Sequence, residues 1–377
     1  MGNTVKRTNA TLGAAALVGV LTLALAACGS DNPTPAGTST GAGGETTAAT
    51  STLTGTLNGG GSSAQEKAQQ AWGAGFQTAN PDVTINYTAT DSGAGRKGFL
   101  DGSLDFAGSD GALNADELAS STARCFGGAG IDLPVYISPI AVAFNLDGVT
   151  TLDLTTDVVA KIFNGTITQW DDPAITALNA DAKLSGAITV VYRSDDSGTS
   201  KNFQDYLSKA APDVWTSEVS NTWPVAVGQG ANGTSGVVQT IQAAKGTIGY
   251  ADASAVGTLG KVSLGVGDAF VAPTADAAAK TVDASPRDDS RAAGDLVIKV
   301  DRTTTAAGAY PAILVSYLLA CTTYDSQATV DLVKGYASYV ASSEGQQQAA
   351  TAAGSAPISD ALRTDVLAAI DAITLKS

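Results

Sequence analysis

Short runs of apolar and β-branched residues recur along the chain, and each leads into a turn rich in Gly, Ser, Thr or Asp. The runs are residues 53–57, 83–87, 104–110 and 187–191. Their alternation or β-branched character is typical of strands. After the fourth run, Phe203, Tyr206 and Leu207 recur at the three-and-four spacing of one helix face. The pattern predicts repeated strand–turn–helix units and therefore an α/β fold.

The turn after residues 187–191 carries the strongest chemical signal. Ser197, Gly198 and Thr199 fall at the start of the following helix, where backbone N–H groups lack partners and the dipole is positive. Such a site favours an anion. Arg193 adds a planar guanidinium suited to a tetrahedral oxyanion, and Asp195 is close enough in sequence to hold it in place. The alternative is an ordinary helix cap with a surface Arg–Asp pair.

Two earlier turns repeat this arrangement. The first contains three glycines and two serines, and Ser63 with Glu66 three residues later predicts a capping box. The second places Ser92 before a short helix. The third apolar run ends at Asp110, which could instead be only the N-cap of the next helix. The string Gly-x-x-x-x-Gly-Lys-Ser/Thr does not occur, so a nucleotide-binding P-loop is not predicted.

Composition limits the chemistry. The chain has 377 residues, 44% hydrophobic and 15% charged, which is a globular balance and long enough for two domains. A formal net charge of −15 argues against a nucleic-acid partner. It also means that local dipoles and hydrogen bonds must hold any anion against a repulsive overall field. The absence of His excludes the Ser-His-Asp triad and imidazole metal sites, and neither a metal nor another cofactor is predicted.

The N-terminal residues predict export. Lys6 and Arg7 precede an apolar run at 12–27, which indicates a bacterial signal peptide over residues 1–27. The small residues before Cys28 resemble a lipobox, in which this cysteine is lipidated and becomes the mature N-terminus. The alternative is a plain signal peptide with a chance cysteine. Residues 28–50 are rich in Gly, Ser, Thr and Ala, which predicts a flexible tether to the outer face of the cytoplasmic membrane.

Two further cysteines remain, Cys125 and Cys321. In an oxidising, exported compartment they could form a disulfide. Two unrelated buried thiols are the alternative, because the sequence alone does not place the two residues near each other.

Several blocks, taken together and in order, resemble the PstS family, the phosphate-binding subunits of bacterial phosphate ABC transporters. The resemblance covers about residues 52–377, and its blocks are 59–65, 87–95, 104–110, 163–173, 193–207, 223–225 and 245–250. It implies a two-lobed periplasmic binding protein fold of type II, with a mixed sheet in each α/β lobe and a ligand cleft between them. We expect lobe 1 to comprise residues 51–138 and 311–377, and lobe 2 to comprise residues 139–310, with strands crossing at 134–146 and 310–319.

The resemblance also implies which residues bind the ligand. Carried over position by position, the family's phosphate ligands fall on Ser63, Ala64, Ser92, Asp110, Arg193, Ser197, Gly198 and Thr199. Ala64 would contribute its backbone amide. Asp195 matches the acid that pairs with the binding arginine.

The function implied is capture, without catalysis, of inorganic phosphate by a monomer that delivers it to the transmembrane subunits of an ABC transporter. Ionised Asp110 would accept the P–OH proton that sulfate lacks, whereas arsenate would be excluded only weakly. One alternative is a binding protein or sensor for another oxyanion. The other is a phosphohydrolase with Ser92 or Ser197 as nucleophile, for which the sequence offers no suitable base.

Overall fold

All four apolar runs form strands in the computed structural model, which describes residues 53–377. Each of these four strands is followed by a helix, as the pattern predicts. The predicted signal peptide at 1–27, the lipidation site Cys28 and the tether at 28–50 lie outside the described residues. Within 53–377, none of the helices combines the length and apolar character that crossing a membrane requires.

Strands and helices alternate through most of the described chain. The strands are β1 (Gly55–Gly61), β2 (Val83–Ala89), β3 (Phe106–Ser109), β4 (Gly130–Asn145), β5 (Thr151–Leu154), β6 (Thr189–Arg193), β7 (Gln229–Ala231), β8 (Thr247–Asp252), β9 (Gly260–Val266), β10 (Ala269–Val271), β11 (Ile313–Cys321), β12 (Thr323–Tyr324) and β13 (Thr374–Leu375). The helices are α1 (Glu66–Ala79), α2 (Ser92–Asp101), α3 (Ala115–Arg124), α4 (Thr156–Phe163), α5 (Pro173–Thr176), α6 (Gly198–Ala210), α7 (Gly233–Ala243), α8 (Ala275–Asp283), α9 (Gln327–Ala341), α10 (Ser343–Ala353) and α11 (Asp360–Asp371).

The long strand β4 joins the two halves of the fold into one sheet. From Gly130 to Pro139 it pairs with β11, and from Ile140 to Asn145 it pairs with β8, antiparallel in both cases. The strand order is β2-β1-β3-β11-β4-β8-β6-β7, while β9 pairs with β4, β5 and β10. The sheet is mixed, because β1, β2 and β3 are parallel to one another and β6 is parallel to β7 and β8. The halves therefore share a continuous sheet rather than having two separate ones.

The change of partner along β4 gives a natural place to divide the lobes. It falls between Pro139 and Ile140, next to the division expected at 138/139. The segment before β11 is less simple, although the sequence assigns it to lobe 2. Leu296 N–H donates to the Asp132 carbonyl at 2.9 Å, and Arg291 forms an ion pair with Asp132 at 2.5 Å. This part of the chain thus lies against the first half of β4.

A cluster of aromatic rings packs beneath the start of α6 in the second half of the fold. Phe203 stacks on Tyr250 with ring centroids 4.6 Å apart and meets Phe163 edge-on at 4.9 Å. Trp223 contacts Tyr250 at 5.2 Å, and all four side chains are buried. Large, close-packed rings allow little movement. They therefore fix the N-terminus of α6 relative to the ends of β6 and β8.

Cys125 and Cys321 form a disulfide across 196 residues of sequence, which joins the end of α3 to the end of β11. We expect replacement of both cysteines by alanine to lower the free energy of unfolding by about 2–5 kcal/mol, because the unfolded chain gains freedom without the cross-link. Urea unfolding followed by circular dichroism measures this change. Equal midpoints for the variant and the oxidised parent would contradict it.

Candidate anion-binding site

The first turn of α6 presents unpaired backbone donors. Ser197 is the N-cap, and its hydroxyl accepts from Ser200 N–H at 3.1 Å. The N–H groups of Gly198 and Thr199 make no hydrogen bond to any of residues 53–377. Ser200 donates to or accepts from the Tyr250 hydroxyl at 2.6 Å, which ties this turn to the aromatic cluster. The helix start predicted from the sequence is therefore formed, with free donors at its positive end.

Arg193 and Asp195 form a buried bidentate pair beside this turn. Arg193 Nε donates to Asp195 Oδ1 at 2.7 Å, and Nη2 donates to Oδ2. Asp195 Oδ1 also accepts from Gly233 N–H at 3.2 Å. The two side chains are 3% and 5% exposed, so the surface-pair alternative is wrong. Among the described residues Nη1 has no hydrogen-bond partner, and it is free to donate to an anion.

This pairing keeps Asp195 ionised. Burial alone would raise the pKa of the Asp195 carboxyl, but the hydrogen bonds and charge of Arg193 outweigh that effect and hold the pKa below its usual value. The negative charge in turn fixes the guanidinium plane, because a bidentate fork has only one good orientation. Asp195 therefore acts by positioning Arg193.

Asp110 lies at the meeting point of the two halves and is 3% exposed. Its Oδ1 accepts from the hydroxyls of Ser62 at 2.5 Å and Ser316 at 2.7 Å, and its Oδ2 accepts from Thr199 at 2.9 Å. A carboxylate has about four acceptor positions, so one position on Oδ2 stays open. The helix-cap alternative for this residue is wrong, because Asn114 caps α3.

The two halves close tightly around Asp110. Asn202 Nδ2 donates to the Asp110 carbonyl at 2.5 Å, and Gly93 N–H donates to the Asp196 carbonyl at 3.2 Å. A methyl group on Gly198 would lie 2.6 Å from Ser92 Oγ and 2.8 Å from Asp110 Cβ, so only glycine fits there. Ser92, Asp110 and the start of α6 are therefore brought together, as expected of neighbouring ligands in a closed cleft.

Ser63 and Ala64 are placed differently from their expected roles. The capping box is wrong, because α1 begins at Glu66 with Gln65 as N-cap and no side-chain cap bond. Ser63 Oγ instead lies 2.9 Å from Thr234 Oγ1 and accepts from Thr234 N–H at 3.1 Å. Ala64 N–H, expected to face the ligand, donates to Ser62 Oγ at 3.1 Å. In this closed arrangement both residues are engaged within the protein.

Sequence reasoning missed three hydroxyl residues at the site, Ser62, Ser316 and Thr234. Ser62 directly follows the triple glycine and precedes the predicted ligand Ser63. Ser316 is a polar residue in the otherwise apolar, wholly buried strand β11, and that exception is a usable signal. Thr234 lies in the first turn of α7 and contacts Ser63 across 171 residues of sequence, a contact that local patterns cannot reveal.

Comparison with known proteins assigns the chain to a family. The profile of the PBP superfamily domain matches residues 46–344. The chain is 37% identical over 377 residues to phosphate-binding protein PstS3 of Mycobacterium bovis strain BCG / Pasteur 1173P2, covering 95% of this chain and 98% of that protein. It belongs to the PstS family. Phosphate-binding protein PstS 2 of Mycobacterium tuberculosis strain H37Rv is 36% identical over 372 residues, covering 96% and 98% of the two chains.

Comparison with solved structures identifies proteins of similar fold. A high-affinity periplasmic phosphate-binding protein, PfluDING, solved with bound phosphate, aligns with a TM-score of 0.68 at 23% identity, covering 83% of this chain and 93% of that one. At that identity the likeness concerns the fold alone. The PstS resemblance and the two-lobed α/β binding-protein fold expected from the sequence are thus both confirmed.

Proposed function

We propose that this protein captures inorganic phosphate outside the cytoplasmic membrane and delivers it to an ABC transporter. The observation that carries the proposal is the meeting of Asp110, with one open acceptor position, and the unpaired N–H donors of Gly198 and Thr199. The names of the PstS relatives, which describe phosphate binding, support the same ligand.

The hydrogen-bonding capacity of the site suits phosphate. Near neutral pH phosphate keeps a P–OH group, whose proton can go to the open position on Asp110 Oδ2. The remaining oxygens accept from the α6 amides and from Arg193 Nη1. Sulfate has no proton to offer, so its charge would face the carboxylate unshielded, and this repulsion provides selectivity. Arsenate carries the same kind of proton and should be excluded only weakly.

The proposed ligand set keeps the eight positions given by the family resemblance, with unequal structural support. Asp110, Ser92, Ser197, Gly198 and Thr199 converge, and Arg193 lies at the end of β6 immediately before that turn. Ser63 and Ala64 would have to exchange their present hydrogen bonds for bonds to the ligand. We therefore propose that the Ser63 hydroxyl and the Ala64 backbone N–H reorient toward phosphate when it enters the site.

The cellular setting follows from the same assignment. We propose that the chain is exported by its signal peptide, anchored through lipid on Cys28, and acts as a monomer that docks on the transmembrane subunits of the transporter. We assign it no catalytic role, because its PstS relatives are named as phosphate-binding proteins, and the carboxylates of Asp110 and Asp195 are held by hydroxyl and guanidinium groups.

Titration calorimetry of residues 29–377, freed of bound ligand, tests the proposal. We expect one-to-one phosphate binding at about micromolar Kd or tighter, since a handful of charged hydrogen bonds can supply about 8 kcal/mol after closure costs. Sulfate should give no heat at the same concentrations, and arsenate should compete with phosphate. Equal binding of sulfate would favour a general oxyanion sensor, and silence with every anion would overturn the proposal.

A further inference from the structure

We propose that a buried chain of hydrogen bonds, running from Tyr336 through Gln69, Gln65 and Ser316, positions Asp110 as a hydrogen-bond acceptor and so sets the selectivity of the site. This inference rests on the proposed function. It concerns four residues that the family's ligand set does not include. They are positioning residues, because they act on the ligand only through Asp110.

The hydrogen bonds of this chain, called the relay below, are short and continuous. The Tyr336 hydroxyl donates to Gln69 Oε1 at 2.7 Å, and Gln69 Nε2 donates to Gln65 Oε1 at 2.8 Å. Gln65 Nε2 donates to Ser316 Oγ at 2.6 Å, and Ser316 Oγ donates to Asp110 Oδ1 at 2.7 Å. Each bond points the same way, from the interior of the first half of the fold toward the carboxylate.

The direction of the relay is fixed by its surroundings. Gln65 Nε2 also donates to the Tyr317 carbonyl at 3.0 Å, and a carbonyl can only accept. The Gln65 amide therefore has one workable orientation, with its oxygen toward Gln69. Because Ser316 Oγ receives a proton from Gln65, its own proton is directed to Asp110. Aligned bonds of this kind polarise one another and strengthen the last donor.

Burial strengthens the hydrogen bonds of the relay and makes the loss of any one of them destabilising. Gln65, Gln69, Ser316 and Tyr336 are all at most 1% exposed. In such surroundings water does not compete for the bonds, and an unpaired amide would be strongly unfavourable. Gln65 stands at the N-cap position of α1, yet its side chain makes no cap bond there. Its side chain is used for the relay instead.

The relay bears on selectivity because it determines which acceptor position of Asp110 is left for the ligand. Ser62 and Ser316 occupy Oδ1, and Thr199 occupies one position of Oδ2. Loss of Ser316 would open a second acceptor position on Asp110 and remove one of the three hydroxyl donors that orient its carboxylate. A carboxylate held by fewer donors is less firmly oriented toward the bound anion, so the repulsion that rejects sulfate becomes weaker.

Other ionisable groups act on Asp110 and stay unchanged in the test. Tyr87 and Asp252 interact with it electrostatically. Lys201 and Asp205 line a cavity together with Asp110, and Arg96 lies beside the neighbouring Gly111. Arg193 belongs to the site. Burial raises the pKa of the Asp252 carboxyl to about 6. Burial also raises the pKa of the Tyr87 hydroxyl well above its usual value, so Tyr87 stays neutral. A comparison of variants with the parent removes the contribution of Asp252.

The test measures phosphate and sulfate affinities of the full exported chain between about pH 5 and 8 for the parent, Ser316→Ala and Tyr336→Phe. We expect Ser316→Ala to lower the phosphate-to-sulfate affinity ratio about tenfold and to raise the sulfate affinity throughout this pH range. Tyr336→Phe, at the far end, should shift both in the same direction by a smaller factor. It serves as the second variant if Ser316→Ala does not fold.

Ser121→Ala is the matched control, because Ser121 is a buried serine whose hydroxyl donates to the Leu118 carbonyl and accepts from Gly130 N–H, away from Asp110. It should lower stability without moving the ratio or the sulfate affinity. If Ser316→Ala and Tyr336→Phe behave like this control while the parent binds phosphate tightly, the relay is overturned and the proposed function stands. A parent that binds no phosphate overturns both.

Discussion

Replacing Arg193 with alanine should weaken phosphate binding by about 10- to 100-fold. Each hydrogen bond from a charged donor contributes about 1.5–3 kcal/mol, and Arg193 is the cation that directly precedes the α6 turn. The loss also leaves Asp195 buried without its partner, so a second negative charge would face the anion. Titration calorimetry at neutral pH measures the change in Kd.

Two further variants separate charge from geometry. Arg193→Lys keeps the positive charge but cannot form the bidentate pair with Asp195, so it should recover only part of the affinity. Arg287→Ala is the matched control, because this arginine forms an exposed ion pair with Asp365 at the surface. It should leave the Kd within about twofold, as expected of a surface pair. Parent-like affinity in Arg193→Ala would remove this residue from the binding site.

The features that sequence predicted well are those decided by neighbouring residues. The turn from β6 to α6 follows from the β-branched run at 187–191, the cap at Ser197 and the helix face beginning at Phe203. Each of these signals is formed by residues that are close together in the sequence. The pairing of Arg193 with Asp195 belongs to the same class, since the two are separated by one residue. Local chemistry therefore identified one side of the site.

The features that sequence missed depend on distant residues. Ser316 meets Asp110 across 206 positions, and only the packing of β11 beside β3 and β4 brings them together. The capping box failed for the same reason, because Ser63 finds a better partner in Thr234 on the opposite half of the fold than in its own helix. A tertiary contact overrode a local preference in both cases.

The family resemblance predicted one ligand that local patterns could not assign. Its motifs identified Asp110 as a phosphate ligand, although they did not show which residues surround it. The structure adds that three hydroxyls hold this carboxylate and leave it one open position. This arrangement gives a physical reason for selectivity. A substitution that removes the charge of Asp110 can test it.

Asp110→Asn should admit sulfate. The asparagine amide removes the negative charge that repels sulfate and can donate to one of its oxygens, so we expect the phosphate-to-sulfate affinity ratio to fall by about 10- to 100-fold. Phosphate itself should lose less affinity, because the α6 amides and Arg193 remain. Competition calorimetry with the two anions, at the same pH and ionic strength, measures the ratio directly.

The control must change the net charge equally without touching the acceptor. Asp196→Asn does so, because Asp196 is 57% exposed at the edge of the site and its side chain makes only a distant ion pair with Arg96 at 3.8 Å. If repulsion acts through the overall field of this acidic protein, both variants should admit sulfate alike and the effect should vanish at high salt. If it acts through the open position on Asp110, only Asp110→Asn should do so, and the effect should persist in salt because the contact is buried.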